Sequence, residues 1–239
     1  MQNYKRKIKI MATTALIVGA GSGLSASLAR AFAKEGISVA LAARQIEKLT
    51  QLSSEIGAVS FAADASKPDE VEQLFIDVEN QLGSPNIVIY NPSFRVRGPL
   101  VELDPAGVAK TLEVTAYGGF LVAQAAAKRM LQHGGGAIFF TGASASVKGF
   151  PQSAPFAMGK FALRGLAQSI ARELAPKNIH VAHFIIDGVI RSAVRPDPVD
   201  NTDSTLDPDA IAQTYLNILR QPRSAWTWEV ELRPWVENF

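Results

Sequence analysis

The chain has 239 residues, of which 47% are hydrophobic and 19% are charged, a balance typical of one well-packed globular domain and not of a disordered or collagen-like chain. It contains no cysteine, which excludes disulfides, iron–sulfur clusters, thiolate zinc sites and a cysteine nucleophile, and favours a cytoplasmic location. The formal charge is +2, but four of the 24 basic residues precede Met11, while all 22 acidic residues follow it. This charge balance does not predict a nucleic-acid partner.

Residues 1–11 are a basic leader that we expect to be flexible, with Met11 as an alternative start of the natural chain. Residues 12–239 are expected to form one domain. The apolar stretch over residues 10–18 ends at a glycine-rich turn, far short of the ~20 residues that a membrane-spanning helix requires. The sequence therefore predicts neither a signal peptide nor a membrane partner.

Short, nearly uninterrupted apolar segments alternate with segments of helical pattern along the chain. Parallel strands that are covered on both faces have such sequences, whereas half-exposed strands alternate apolar and polar residues. Six strands are predicted, over residues 14–18, 38–42, 59–62, 87–90, 137–141 and 180–186. Six helices are predicted, over residues 24–34, 46–56, 68–82, 105–131, 156–174 and 208–219. Residues 226–235 are a candidate for a further strand at another interface.

This order of elements predicts a three-layer, doubly wound α/β fold with a mostly parallel sheet, whose ligands bind beyond the carboxyl ends of the strands. The first strand runs there into a turn that contains Gly19, Gly21 and Gly23. Glycines let the backbone turn tightly and bring N–H groups against a pyrophosphate at the positive end of the following helix. Candidate cofactor-binding residues are therefore these glycines with Ser22 and Leu24, and the alternative is a plain tight turn.

The second strand runs into Arg44, where a carboxylate would hydrogen-bond the ribose hydroxyls of NAD. A guanidinium at this position suits the 2′-phosphate of NADP(H) instead, which makes NAD(H) the less favoured cofactor. The alternative is an ordinary solvated Arg44 beside Glu47.

With this turn, Asn91 after the fourth strand and residues 156–160 (Phe-Ala-Met-Gly-Lys) at the start of a long helix, the chain resembles the classical short-chain dehydrogenase/reductases. The segments 169–174 and 188–192 add to the resemblance, which covers about residues 13–239. It implies a Rossmann-type domain with about seven strands that binds a nicotinamide cofactor. It also implies contacts of Asp64 and Ala65 with the adenine, support of the cofactor-side backbone by Asn91, and contacts of Gly188 and Ile190 with the nicotinamide.

The chain departs from the family where the resemblance places the catalytic groups. Phe156 stands at the position of the family's Tyr, Ala143 at that of its Ser and Thr115 at that of its Asn, so that Lys160 alone of the tetrad is retained. The spacing puts Phe156 and Lys160 on one helical face, but a phenyl ring has no proton to donate. The resemblance therefore implies a divergent subgroup with a non-standard proton donor, in which Lys160 also binds the nicotinamide ribose.

Two further departures lie in the cofactor region, where the family's last glycine is Ser25 and its Asn-Ala-Gly segment reads 91-Asn-Pro-Ser-93. We expect cofactor binding to be altered in detail and not abolished. Ser144, one position beyond Ala143, is a candidate hydroxyl for a substrate oxygen, and strand-end capping is the alternative.

Other polar and aromatic residues give weaker evidence of a function. Tyr117 is expected to be a core or interface aromatic, because it points about 200° away from Thr115 on the same helix. His180 and His183 are three apart in a strand and so point to opposite faces, and no metal site is predicted.

The leading hypothesis is an NADP(H)-dependent oxidoreductase that acts on a small organic substrate with Lys160, Phe156, Ser144 and Thr115 at its catalytic positions. The alternative is a catalytically impaired NADP(H)-binding pseudoenzyme that acts as a sensor or partner subunit. A third hypothesis, a structural protein that has lost the cofactor, is disfavoured by the retained glycines and Arg44. Apolar helices over residues 114–130 and 156–174 predict a homodimer or homotetramer.

Overall fold

The computed structural model describes residues 13–192 and 194–237, so the predicted basic leader lies outside the described residues. Seven strands in this part of the chain form one sheet: β1 (Thr14–Val18), β2 (Ser38–Ala43), β3 (Val59–Ala62), β4 (Ile87–Tyr90), β5 (Gly136–Thr141), β6 (Ile179–Ile186) and β7 (Glu229–Leu232). Their order across the sheet is β3-β2-β1-β4-β5-β6-β7, and every neighbouring pair is parallel. The prediction of a doubly wound, mostly parallel sheet of about seven strands is therefore confirmed.

Helices cover both faces of the sheet in the described chain: α1 (Leu24–Lys34), α2 (Thr50–Ile56), α3 (Pro68–Leu82), α4 (Pro105–Leu112), α5 (Gly118–Gln132), α6 (Ala154–Leu174) and α7 (Pro208–Leu219). Helices α3, α5 and α6 pack on one face, and α1, α2 and α7 on the other. The third layer explains the uninterrupted apolar strands. In β1, for example, Leu16 and Ile17 are both fully buried, but they belong to the cores on opposite faces of the sheet.

The predicted helix over residues 105–131 is not continuous, which corrects the sequence prediction. After α4 the backbone forms a wider π-helical turn, Glu113–Tyr117, before α5 begins at Gly118. The Tyr90 hydroxyl, which comes from β4, donates to the Val114 carbonyl inside this turn. A side chain that takes a carbonyl out of the helical hydrogen-bond ladder is a known cause of such irregular turns.

Two other differences concern the ends of elements. The first turn of the predicted helix over residues 46–56 is a separate 3₁₀ turn, Ile46–Leu49. The candidate C-terminal strand is real, but it is limited to Glu229–Leu232 and pairs with β6 of its own sheet. No helix within the described residues is long and apolar enough to cross a membrane.

Candidate functional site

A cleft of about 1000 Å³ opens beyond the carboxyl ends of β1 to β4, where the sheet topology predicts a ligand. Seven of the predicted cofactor-binding residues line it: Gly19, Gly21, Ser22, Arg44, Asp64, Ala65 and Asn91. The sequence analysis missed several other lining residues, of which Gln45, Lys48 and Ser93 are polar. Lys48 could have been found from its place four residues after Arg44 in the same loop and helical turn.

The glycine turn has the shape that a phosphate-binding turn requires. Gly19 has φ +81°, and a Cβ there would lie 2.6 Å from the Pro92 nitrogen, so only glycine fits. No atom lies within 4 Å of an added Cβ at Gly21 or Gly23, so the turn faces open space. Helix α1 begins at Leu24 without a side-chain cap, which leaves its first N–H groups available to an anion. These residues fit the pyrophosphate of a dinucleotide.

The side chains of Asn91 and Ser25 stabilise this turn through hydrogen bonds. The Asn91 side-chain amide donates to Ser25 Oγ at 2.7 Å, and Ser25 Oγ donates to the Gly19 carbonyl at 3.1 Å. Ser25, which replaces the last glycine of the resembling family, is almost fully buried. It fixes the carbonyl of Gly19 from inside the protein and leaves the open side of the turn unchanged.

The end of the cleft near β2 and β3 is rich in charge. The Asp64 carboxylate accepts hydrogen bonds from the Ser66 backbone N–H and hydroxyl at 2.9 and 2.7 Å. Burial raises the pKa of Asp64, but the bonds from Ser66 and the charges of Lys110 and Arg44 outweigh it and leave the pKa below its usual value. Asp64 is therefore an ionised acceptor at the predicted adenine end, opposite in charge to Arg44.

Lys160 is buried in α6 and directed at the end of β5. Its Nζ donates to the Thr141 carbonyl at 2.7 Å, and burial lowers its pKa to about 8. The Phe156 ring lies one helical turn earlier, with its centroid 5.9 Å from Nζ. The helix therefore brings Lys160 and Phe156 together as predicted, with an apolar ring on the face where a hydroxyl would stand.

Thr115 lies in the wide turn and is fully buried. Its hydroxyl accepts a hydrogen bond from the Phe94 backbone N–H at 3.4 Å. An added Cβ at Gly159 would lie 2.9 Å from Thr115 Cβ, so this side chain packs against the backbone just before Lys160. The contacts of Thr115 are those of a packing residue that supports α6.

Ser144 follows β5 in a short helical turn and is near Asp187, at the end of β6, whose pKa it helps to lower. Asp187 is almost fully buried and pairs with Lys148 Nζ at 3.0 Å and Arg233 at 3.2 Å. Burial raises the pKa of Asp187, but Ser144, Lys148 and Arg233 together hold it below its usual value. Asp187 Oδ1 is buried without a hydrogen-bond partner in the described part of the chain, and the nearby negative charge disfavours loss of the Ser144 proton.

A second polar group lies under the site, and the contacts between its members were not predicted from the sequence. Ser146 Oγ lies 3.3 Å from His183 Nε2, and His183 Nδ1 lies 3.2 Å from Glu229 Oε2. Arg164 donates two hydrogen bonds to the same carboxylate, at 2.6 and 2.8 Å. Burial lowers the pKa of His183 to about 4, so its ring is neutral near pH 7. Ser146 and His183 are fully buried, so this relay ties the end of β5 to β7 and is not open to a substrate.

The other histidine lies elsewhere, as its spacing predicts. The His180 ring stacks on Trp226 with centroids 4.6 Å apart and hydrogen-bonds the Thr227 carbonyl, so it does not share partners with His183. No cluster of three or more His, Cys, Asp or Glu residues that could hold a metal is found in the described part of the chain.

Three tyrosines lie within the described residues, and none is placed to replace the missing hydroxyl. Tyr90 and Tyr215 are fully buried, and burial raises the pKa of both phenols well above the usual value. Tyr215 shares a hydrogen bond of 2.9 Å with the Thr141 hydroxyl inside the core. Tyr117 is 46% exposed and stacks on Phe120, so it is a surface aromatic and not a core residue.

Gly188 and Ile190 follow β6 at the same edge of the sheet, but neither lines the cleft. Gly188 has φ +148°, and an added Cβ would lie 2.7 Å from Pro234 Cδ. Ile190 forms a parallel bridge with Leu206. Their contact with a nicotinamide ring stays a prediction from the resemblance.

Comparisons with known proteins agree with this architecture. A family model described as short chain dehydrogenase matches residues 13–201. The chain is similar to a solved short-chain dehydrogenase from Rhodopseudomonas palustris, with 38% identity, a TM-score of 0.82 and coverage of 94% of this chain and 100% of that one. It is also similar to a metagenomic short-chain oxidoreductase solved in complex with NADP, with 26% identity, a TM-score of 0.82 and coverage of 93% and 97%. Carbonyl reductase family member 4 of Xenopus laevis is 24% identical over 89% of this chain and 93% of that protein.

Proposed function

The chain belongs to the short-chain dehydrogenase family, and from this premise we propose that it is an oxidoreductase that binds NADP(H) and transfers hydride to or from a small organic substrate. The observation that carries the proposal is the cleft of about 1000 Å³, in which the open glycine turn lies together with Arg44 and Lys48. The turn provides N–H groups for a pyrophosphate, and the two cations suit a further phosphate.

The preference for NADP(H) over NAD(H) rests on charge at the end of β2. Arg44 and Lys48 are exposed in the cleft, and within the described residues neither forms an ion pair, with Glu47 or with any other carboxylate. Two unpaired cations favour a 2′-phosphate and leave the ribose hydroxyls of NAD without an acceptor in this loop. The metagenomic relative that was solved with NADP supports the same cofactor here.

Hydride transfer to a substrate requires a proton donor in addition to the bound cofactor. A bound nicotinamide supplies or accepts the hydride. Lys160 holds an ammonium group beside the Phe156 ring, anchored by the Thr141 carbonyl. Because the pKa of Lys160 is lowered to about 8, this ammonium gives up a proton more readily than an ordinary lysine does.

We place the non-standard proton source at Lys160, acting directly or through a water molecule. Ser144 is the weaker candidate because the nearby negative charge of Asp187 disfavours loss of a proton from its hydroxyl. Phe156 carries no exchangeable proton, and Thr115 packs inside the protein. In this proposal Phe156 shapes the apolar wall of the site, and Thr115 positions α6.

The second candidate function is an NADP(H)-binding pseudoenzyme, a sensor or a partner subunit. The apolar ring at position 156 favours it, because a positioned general acid contributes about 10²–10⁴ in rate and no phenol stands here. Both candidates require the cleft, but only the first requires turnover.

Calorimetric titration with NADPH and NADH tests the cofactor, and a panel of ketones, enones and imines followed by NADPH absorbance tests the chemistry. We expect micromolar or tighter NADPH binding, weaker NADH binding, and turnover of at least one compound that is lost in Lys160→Ala. Absence of NADPH binding contradicts both candidate functions. Binding without turnover above that of the Lys160→Ala variant favours the pseudoenzyme.

We further propose that the protein acts in the cytoplasm as a homodimer or homotetramer. Tyr117 and Phe120 near the start of α5, with Met158 and Phe161 on α6, are each 41–49% exposed, which is unusual for large apolar side chains that have no partner. Light scattering of the purified chain tests this: a Phe161→Glu variant is expected to dissociate, and a wild-type monomer contradicts the proposal.

A further inference from the structure

The ring that stands in the place of a phenol is covered by a guanidinium. Arg95 Cζ lies 4.8 Å from the centroid of the Phe156 ring, and Lys160 Nζ lies 5.9 Å from the same centroid. Both distances are within the range of cation–π contacts. The Phe156 ring therefore has two cations near it, of which Lys160 is buried and Arg95 is exposed.

The position of Arg95 is set by its loop, which follows β4. The Phe94 N–H donates to Thr115 Oγ1 at 3.4 Å, and the Gly98 N–H donates to the Gln152 carbonyl at 3.1 Å, just before α6. These two contacts hold the loop over the start of α6. Arg95 thus comes from the carboxyl end of a parallel strand, where ligands bind in such sheets.

Two more arginines stand near Arg95. Burial and the charges of Arg97 and Arg195 lower the pKa of Arg95 below its usual value, so each of these two arginines is close enough to Arg95 to repel it. Arg97 belongs to the same loop, and Arg195 belongs to the segment after β6, where it exchanges two backbone hydrogen bonds of 3.0 Å with Ser192.

This group has no acidic counterpart. Within the residues that the structure describes, Arg95, Arg97 and Arg195 form no ion pair. Arg191, in the same segment as Arg195, is paired with Asp197 at 2.6 Å and with Asp207 at 2.8 Å. The segment therefore uses acids to neutralise one arginine and leaves the arginines at the site entrance unneutralised. Like charges that are gathered without partners destabilise a protein unless an anion binds them.

We propose that the substrate is a small organic acid whose carboxylate is bound by Arg95, with Arg97 and Arg195 adding to the attraction. This inference rests on the proposed function, because it names the substrate class of the same site. A guanidinium presents a planar fork that matches the two oxygens of a carboxylate. Within the described residues the Arg95 guanidinium makes no hydrogen bond, so its N–H groups are available to the acid.

The experiment is a calorimetric titration of the full chain, with and without NADP⁺, in which no reduction of a carbonyl occurs. The probes are phenylglyoxylate and pyruvate, each compared with its methyl ester. Arg95→Gln and Arg95→Lys are the test variants, and Arg223→Gln, an exposed arginine beside the other end of the sheet, is the control with the same change in charge. NADPH affinity is measured for every protein.

We expect at least one acid to bind and its ester to bind at least about tenfold more weakly, as for a charge-assisted bidentate contact. Arg95→Gln is expected to lose a similar factor, Arg95→Lys part of it, and Arg223→Gln none, with NADPH affinity unchanged in all three. Equal binding of acid and ester, or wild-type affinity of Arg95→Gln for the acid, overturns the inference. Binding of NADPH without binding of either acid overturns only this inference and leaves the proposed function intact. Binding of an acid without binding of NADPH contradicts only the proposed function.

Discussion

The carboxyl edge of the sheet has two halves, one beyond β1 to β4 and one beyond β5 and β6, and their polar groups have different partners. Beyond β1 to β4 they face open space: the glycine turn has no side-chain cap, and Arg44 has no ion-pair partner within the described chain. Beyond β5 and β6 the polar groups contact one another inside the protein: Lys148 pairs with Asp187, and Ser146 Oγ lies 3.3 Å from His183 Nε2. The first half is shaped for a ligand, and the second is shaped mainly by its own contacts. Binding of a dinucleotide and chemistry on a substrate are thus separable properties of this fold.

The largest expected effect is on cofactor binding in the half beyond β1 to β4. In Gly19→Ala the new Cβ meets Pro92 in a left-handed backbone conformation, so the turn shifts, and NADPH affinity falls by about 100-fold. Gly36→Ala is the matched control, because Gly36 also has a positive φ, 78°, but is remote from the cleft lining. Calorimetry compares the two; similar NADPH affinities would show that the turn does not hold the cofactor.

The next experiment adds a hydroxyl in the half beyond β5 and β6. Phe156→Tyr places a phenol one helical turn before Lys160, and we expect carbonyl reduction with NADPH to rise by about 10²-fold, the lower range for a positioned general acid. Phe161→Tyr, on the exposed side of the same helix, is the control. If neither variant gains rate while NADPH still binds, more than the acid is missing from the site.

A smaller effect separates the two cofactors. Arg44→Ala removes one of two cations near the expected 2′-phosphate, so NADPH is expected to bind about tenfold more weakly and NADH unchanged. Arg30→Ala, in an exposed ion pair with Glu55, is the control for net charge. An equal loss for NADPH and NADH would assign Arg44 a role other than recognition of the 2′-phosphate.

The smallest effect concerns Lys160. Its pKa in the folded protein, about 8, is lower than its unfolded value of about 10.4, so the unfolded chain binds more protons between these values and stability rises with pH. From pH 7 to pH 9 this contribution increases the free energy of unfolding by about 1 kcal/mol. Urea unfolding of wild type and Lys160→Met at both pH values isolates it: the advantage of the variant is expected to shrink as pH rises. A constant difference would mean that Lys160 keeps an ordinary pKa.

Much of the fold could be read from local patterns. The bounds of β1, β3, β4, α1, α3 and α7 agree with the prediction at both ends, because apolar segments and helix-start residues mark them. The Asp104 carboxylate, for example, accepts hydrogen bonds from Ala106 and Gly107 at 3.2 and 3.1 Å, as its place before Pro105 indicates. The wide turn after α4 was not predictable, since it depends on the Tyr90 hydroxyl, 24 residues away in the chain.

The candidate site was likewise predictable from the sequence only in part. Most of the predicted cofactor-binding residues follow strand ends directly, and seven of those predicted from the topology or from the family resemblance line one cleft. Contacts between distant segments could not be predicted from the sequence: Lys148 and Asp187 are 39 positions apart, and Ser146 and His183 are 37 apart. A sequence shows that a hydroxyl is present but not what holds its proton.

The sequence by itself determined the doubly wound fold, the glycine turn and the place of Phe156 four residues before Lys160, because each depends on the order and identity of neighbouring residues. Only the tertiary structure decided which polar groups are free. It paired Lys148 with Asp187, buried Lys160 against Thr141, and brought Arg95 over the Phe156 ring near two further arginines. The reason is physical: the fold determines which partner is within reach, and whether a hydroxyl or a cation is available to a ligand depends on its nearest partner in space.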